Sequence, residues 1–123
     1  MSYDDFTKMS VWQLSFDLLL KVYKITKRFP SDERFGLVSD MRWSANSIAH
    51  NIAEGFGRFD QKDKSRFYRI SRGSAFELIS QILASSALTY INEEEENSLT
   101  ESSKQVIGEL NALMKTLESL LQP

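Results

Sequence analysis

Ser44-Ala45-Asn46-Ser47-Ile48-Ala49-His50-Asn51-Ile52-Ala53-Glu54-Gly55 decides how the rest of the chain is read. Between Arg42 and Glu54 the only ionisable side chain is His50. Apolar Val38, Met41, Ala45, Ile48 and Ile52 recur at alternating steps of three and four, which makes one helical stripe. Ser44, Ser47, Asn51 and Glu54 form a second stripe at the same steps. A surface helix would carry Lys and Glu there. Small uncharged side chains instead let a neighbouring helix come close, and Asn51 can donate and accept across the contact. The spacing therefore predicts a helix covered on more than one side.

Outward from this helix, 123 residues suit a single domain, 1–123, with one sizeable core. The hydrophobic and charged fractions, 41% and 26%, place the chain in the ordinary globular class. No cysteine is present, which excludes disulfides and thiolate metal sites. Met1 leads into a polar, acidic segment rather than a basic and then apolar one, so no signal peptide is read. No apolar run approaches the roughly 20 residues needed to span a bilayer. The expectation is a soluble cytoplasmic protein without a membrane partner.

The net charge of -2 conceals a separation. Residues 21–72 hold twelve Lys and Arg against six Asp and Glu, whereas residues 73–123 hold two against eight. Such segregation makes a local field although the total is small.

Residues 1–8 are polar and expected to be loosely held. Ser10 with Gln13 fits a capping box that opens a helix over 10–29. That helix has two apolar seams, Trp12-Phe16-Leu19-Tyr23 and Val11-Leu18-Val22-Ile25-Phe29. Two seams either make one wide core-facing surface or serve the core and another subunit. The over-covered second helix favours the latter. Pro30 ends the first helix. A second helix is expected over 32–55, capped by Ser31 or Asp32, with Gly36 permitting a close contact early in it. Gly55-Phe56-Gly57 supplies glycine for a left-handed stop. Asp60 can cap a third helix over 61–91. Asn92 and Glu93–Glu96 read as a solvated turn, since adjacent carboxylates lack the alternation of a calcium loop. Ser98 with Glu101 is a second capping box, opening a helix over 98–121 that stops at Pro123. Its Leu99, Val106, Leu110, Leu113, Leu117 and Leu120 follow heptad spacing. Four helical patterns, short connections and no period-two alternation give an all-α, antiparallel up-down-up-down four-helix bundle.

Little in this chain suits catalysis. His50 is the single histidine, and Ser47 and Glu54 flank it at a spacing any helix offers. Bundle metal sites need Glu-x-x-His pairs on facing helices, and none is present. Glu54 and Glu77 could face each other, but as structural acceptors. The reading is a non-enzyme with no metal and no cofactor; a weak hydrolase built on His50 is the competing one. The first third of the third helix is basic and aromatic. Lys62, Arg66, Arg69 and Arg72 are expected within one narrow arc, Arg58 precedes them, and Phe56, Phe59, Phe67 and Tyr68 are interleaved. Cations beside aromatic rings suit phosphate contact with base stacking, which predicts RNA or DNA binding with little sequence preference through Arg58, Lys62, Arg66, Arg69 and Arg72. A protein-interaction scaffold is the alternative, and a solvated face the plainest account of the same residues.

The pattern Trp12, Tyr23-x-x-Thr26-x-x-Phe29-Pro30, Glu33-x-x-Gly36-Leu37, Ser47-Ile48-x-x-Asn51-Ile52-Ala53-Glu54-Gly55-x-Gly57-Arg58 and Gly73-Ser74-x-x-Glu77-Leu78 resembles the bacterial four-helix bundle proteins, also called 23S ribosomal RNA intervening-sequence proteins. The resemblance spans nearly the whole chain. That family is similar in fold to the accessory variability proteins of diversity-generating retroelements, which bind nucleic acid and a reverse transcriptase through basic surfaces. The resemblance implies a homopentameric barrel, which would account for the doubly apolar first helix. Two positions depart from the pattern. Trp43 stands where a second basic residue usually follows Arg42, and Ala49-His50 stands where Pro-Ser often precedes the asparagine.

Overall fold

A computed structural model describes residues 5–121. Among them four α-helices and no strand occur: α1 (Ser10–Thr26), α2 (Leu37–Phe56), α3 (Gln61–Ala87) and α4 (Glu93–Leu121). Each helix packs on its neighbours in sequence, α4 closes back on α1, and the backbones of the diagonal pairs stay more than 8 Å apart at their Cα atoms. This is a square, antiparallel four-helix bundle, with α2 against α3 as its most extensive contact.

The core forms from the striped positions except at the end of α4, where Leu113 is half-buried and Leu120 is 64% exposed. Val38, Met41, Ala45, Ile48 and Ile52 of α2 are buried. They meet Val11, Leu18 and Val22 of α1, Ala75, Leu78 and Ile82 of α3, and Leu99, Val106, Leu110 and Leu117 of α4. Burying each large side chain contributes about 1.5–3 kcal/mol. The second stripe of α2 is covered by α3, as its composition requires. Ser44 is buried, the Ser47 and Ser74 hydroxyls lie 2.8 Å apart, and Ser71 Oγ donates to the Ile48 carbonyl at 2.8 Å. Asn51 turns back on its own helix, donating to Ser47 O and Oγ at 2.8 and 3.1 Å. Glu54, at the end of the stripe, is exposed and pairs with Arg58.

The helix ends differ from expectation in instructive ways. Residues 5–8 are not loose. They form a 3-10 turn whose Phe6 meets the Trp12 ring edge-on at 5.3 Å. Residues 1–4 and the stop at Pro123 lie outside the described residues. The Ser10–Gln13 capping box does not form. Met9 is the N-cap without a side-chain bond, Ser10 Oγ donates to Glu109 Oε2 at 3.2 Å, and Gln13 Nε2 to Thr7 O at 2.9 Å. Tertiary acceptors have outcompeted the local cap. α1 ends at Thr26 rather than 29, tightening through Arg28 N–Ile25 O and Phe29 N–Thr26 O bonds before Pro30. Ser31 and Asp32 begin a 3-10 turn (Ser31–Glu33), not α2. Gly36 is the N-cap of α2, whose first residue is Leu37 rather than the expected 32, and Glu33 Oε1 accepts from Leu37 N at 3.3 Å.

The C-terminus of α2 uses no left-handed glycine. Gly57 stays right-handed at φ -76°, and no glycine has positive φ among the described residues. Gly55 is instead a point of close approach. A Cβ there would lie 2.6 Å from Cε1 of the Tyr68 ring. α3 opens where expected, with Asp60 accepting from Lys62 N at 3.0 Å. It stops at Ala87, before the expected 91. Thr89 takes φ 64°, and Tyr90 N closes onto Ser85 O at 2.9 Å. The acidic run is not a turn but the first turn of α4. Asn92 and Glu95 form the reciprocal box there, Glu95 N to Asn92 Oδ1 at 2.8 Å and Asn92 N to Glu95 Oε1 at 3.0 Å. Ser98 and Glu101 therefore sit inside the helix. No described helix is long and apolar enough to cross a membrane.

Candidate nucleic-acid interface

Six basic residues, Arg58, Lys62, Lys64, Arg66, Arg69 and Arg72, lie on the α2–α3 connection and the first half of α3. At about 100° per residue, Lys62, Arg66 and Arg69 share an arc of about 60° on α3, and Arg72 lies about 60° beyond Arg69, toward α4. Lys62, Arg66 and Arg69 are exposed. The five expected cations form three groups rather than one even band. Lys62 and Arg69 line a shallow groove of about 450 Å³ with Ser65, Met114, Glu118 and Leu121, between α3 and the end of α4. Arg58 and Arg66 hold their guanidinium groups 4.7 and 4.5 Å from the centre of the Phe67 ring. Arg72 donates from Nε to Asn111 Oδ1 at 2.7 Å and lies 4.9 Å from the Phe76 ring.

Two of these cations have carboxylate partners, Arg58 with Glu54 at 2.7 Å and Arg66 with Asp63 at 3.9 Å. All four side chains are well exposed, at 41–54%. Exposed pairs of this kind are worth about 0–1 kcal/mol, so exchanging a carboxylate for a phosphate would cost little. At the other end of the bundle Glu93–Glu96 form the first turn of α4, and Arg28 pairs with Glu95 there.

The aromatic residues divide as sharply. Tyr68 is buried against Gly55, and burial raises its phenol pKa. Phe56 is half-buried, with the Lys64 ammonium 5.6 Å from its ring centre. Phe67 lies between two guanidinium groups. Phe59 is fully exposed.

Lys64 lies in sequence between Lys62 and Arg66, yet it serves the fold. Its ammonium donates to the Phe56 and Gly55 carbonyls at 2.7 and 3.3 Å, closing the last turn of α2, and burial lowers its pKa. Its helical position, about 200° from Lys62, is the signal that separates it from the exposed arc.

Around exposed His50, Ser47 Oγ is engaged with Ser74 and Asn51, and Glu54 with Arg58. His50 lines only a small depression with Trp43, Asn46, Ser47 and Asn51. Glu54 and Glu77 are both exposed rather than buried acceptors. No group of three His, Cys, Asp or Glu side chains suited to a metal ion occurs among the described residues.

A family model described as 23S rRNA-intervening sequence protein matches residues 7–112. Among solved structures, the chain is similar to a protein of unknown function from the S23 ribosomal protein family of Bacteroides thetaiotaomicron. That match has a TM-score of 0.77 at 20% identity and covers 85% of this chain and 98% of the other. At that identity the likeness concerns the fold. No curated protein matches the sequence.

Proposed function

The chain belongs to the 23S rRNA-intervening sequence protein family, and from that footing we propose that it is a non-enzymatic, homo-oligomeric bundle that binds RNA or DNA with little sequence preference. The observation that carries the reading is the exposed Lys62-Arg66-Arg69 arc of α3, set at the end of the bundle away from the acidic first turn of α4. Cations so placed meet a phosphate backbone, while no side chains are arranged to read base edges in a groove. Each exposed cation contributes little alone; copies repeated around an oligomer act multivalently. The oligomer, a pentamer by family resemblance, would be joined through the Trp12-Phe16-Leu19-Tyr23 seam.

The test is a binding titration across salt, with wild type and Arg66→Glu/Arg69→Glu. The log-log slope should be about -0.7 per phosphate contact on a single strand. The double variant should bind more weakly and with a shallower slope. Absence of wild-type binding at low salt, or equal binding by the variant, would reduce the arc to a solvated surface. Trp43, 75% exposed on α2, supports a second reading, a scaffold that presents repeated surfaces to a protein.

A further inference from the structure

Phe59 is the most exposed large apolar side chain described, at 101%, yet it lies in a tightly bonded segment. Only four residues, 57–60, join α2 to α3. Gly57 N donates to Ala53 O at 3.1 Å, Arg58 N to Gly55 O at 3.2 Å, and Lys64 N to Asp60 O at 2.9 Å. Asp60 caps Lys62 N, and Lys64 Nζ ties the end of α2 to α3. The backbone on both sides of Phe59 is thus fixed while its ring touches nothing. Its aromatic neighbours are covered by cations, Phe56 by Lys64 and Phe67 by Arg58 and Arg66. The result is one bare ring presented among cations.

We infer that Phe59 is a stacking platform for an unpaired base, which makes the ligand of the basic face a single strand; the inference rests on the nucleic-acid reading above. Every base has a π-face, so one ring can take any of them without sequence preference. In a duplex those faces are already stacked on one another, and a side chain on a loop meets mainly backbone. A lone ring suits a base better than a protein, whose interface needs a contiguous apolar core, or a bilayer, which needs an apolar face. Phe35 supplies the internal comparison. It is 88% exposed in the α1–α2 connection, with its own Arg34 at 5.5 Å, but it lies at the other end of the bundle from the Lys62-Arg66-Arg69 arc.

The experiment titrates the full-length protein, as wild type and as Phe59→Ala, Phe59→Leu and Phe35→Ala, with oligouridylate of about 12 nucleotides, the same oligomer carrying abasic sites, and a duplex of equal length. Because the Phe59 ring touches nothing, these variants keep the fold. Phe59→Ala and Phe59→Leu should each weaken oligouridylate binding by about 5- to 100-fold, the effect of losing one stacked base. The salt slope, the abasic ligand and the duplex should be unaffected, as should Phe35→Ala. If wild type binds and Phe59→Ala binds equally, stacking is refuted and the nucleic-acid reading survives. If Phe59→Leu keeps full affinity, or if Phe59 governs capture by phosphatidylserine vesicles instead, the ring makes a plain apolar contact and the inference also falls. Failure of wild type to bind any of the oligonucleotides would overturn both readings.

Discussion

Gly55 shows at one residue how a local signal can be right about importance and wrong about cause. Glycine after an apolar stripe reads as a helix stop, but Gly55 is helical, buried and within reach of the Tyr68 ring. Alanine would gain about 1 kcal/mol of helix propensity. Its methyl carbon would meet Cε1 and Cδ1 of Tyr68 at 2.6 and 3.0 Å, and that ring, 2% exposed, has little room to retreat. Overpacking costs about 1–3 kcal/mol, so the clash outweighs the gain. Gly55→Ala should lower the urea midpoint. Gly73 lies in the middle of α3 with no atom within 4 Å of an added Cβ, so Gly73→Ala should raise stability by about 1 kcal/mol. Opposite signs for two helical glycines are the check; a shared sign would deny the Tyr68 contact. No sequence pattern distinguishes these positions, because the difference is made by a ring thirteen residues away on another helix.

At the scale of elements, the interiors of all four helices and the starts of α1 and α3 were legible, whereas the starts of α2 and α4 and the ends of α1 and α3 were not. Stripes such as Met41-Ala45-Ile48-Ile52 and Leu99-Val106-Leu110-Leu117 report burial directly, since period and core face are one property. Caps are a competition among several short side chains. Ser98-x-x-Glu101 has the spacing of a capping box, but Asn92 and Glu95 hold that role six residues earlier. The four glutamates that suggested a solvated turn suit a helix start, because the N-terminal dipole favours negative charge. Ser98 Oγ instead accepts from Lys21 Nζ at 3.3 Å. Asn92→Ala should therefore cost about 1 kcal/mol, whereas Ser98→Ala should stay within about 0.5 kcal/mol of wild type. Equal losses in a urea series would return the start of α4 to Ser98. The basic face was legible to the same degree. The angle along α3 finds the Lys62-Arg66-Arg69 arc, but Glu54, Asp63 and Asn111, which engage the outer cations, come from other turns and helices.

At the scale of the whole molecule, the two seams of α1 differ in cover but do not separate cleanly, because Trp12 and Leu19 of the second seam are half-buried against the core. Val11, Leu18, Val22 and Phe29 are in the core. Phe16 and Tyr23 of the second seam remain 38% and 37% exposed, and Leu20, which belongs to neither seam, is 53% exposed beside Phe16. The outer seam is organised even so: Trp12 stacks on Phe16 at 4.8 Å, Arg42 lies 4.6 Å from the Tyr23 ring, and Asn46 Nδ2 donates to Tyr23 Oη at 2.9 Å. A contiguous apolar row whose geometry is already fixed loses little conformational freedom on being covered. Covering Phe16 and Leu20, which are only 38% and 53% exposed, would recover about 0.5–1.5 kcal/mol for each side chain. Sedimentation equilibrium at micromolar concentration should accordingly show an oligomer. Phe16→Ser/Leu20→Ser should shift it toward monomer with helical circular dichroism retained, because neither side chain belongs to the core. A wild type that sediments as a monomer, or a double variant that assembles as wild type does, would leave the outer seam as exposed surface. Multivalent binding by the α3 arc would then lose its basis.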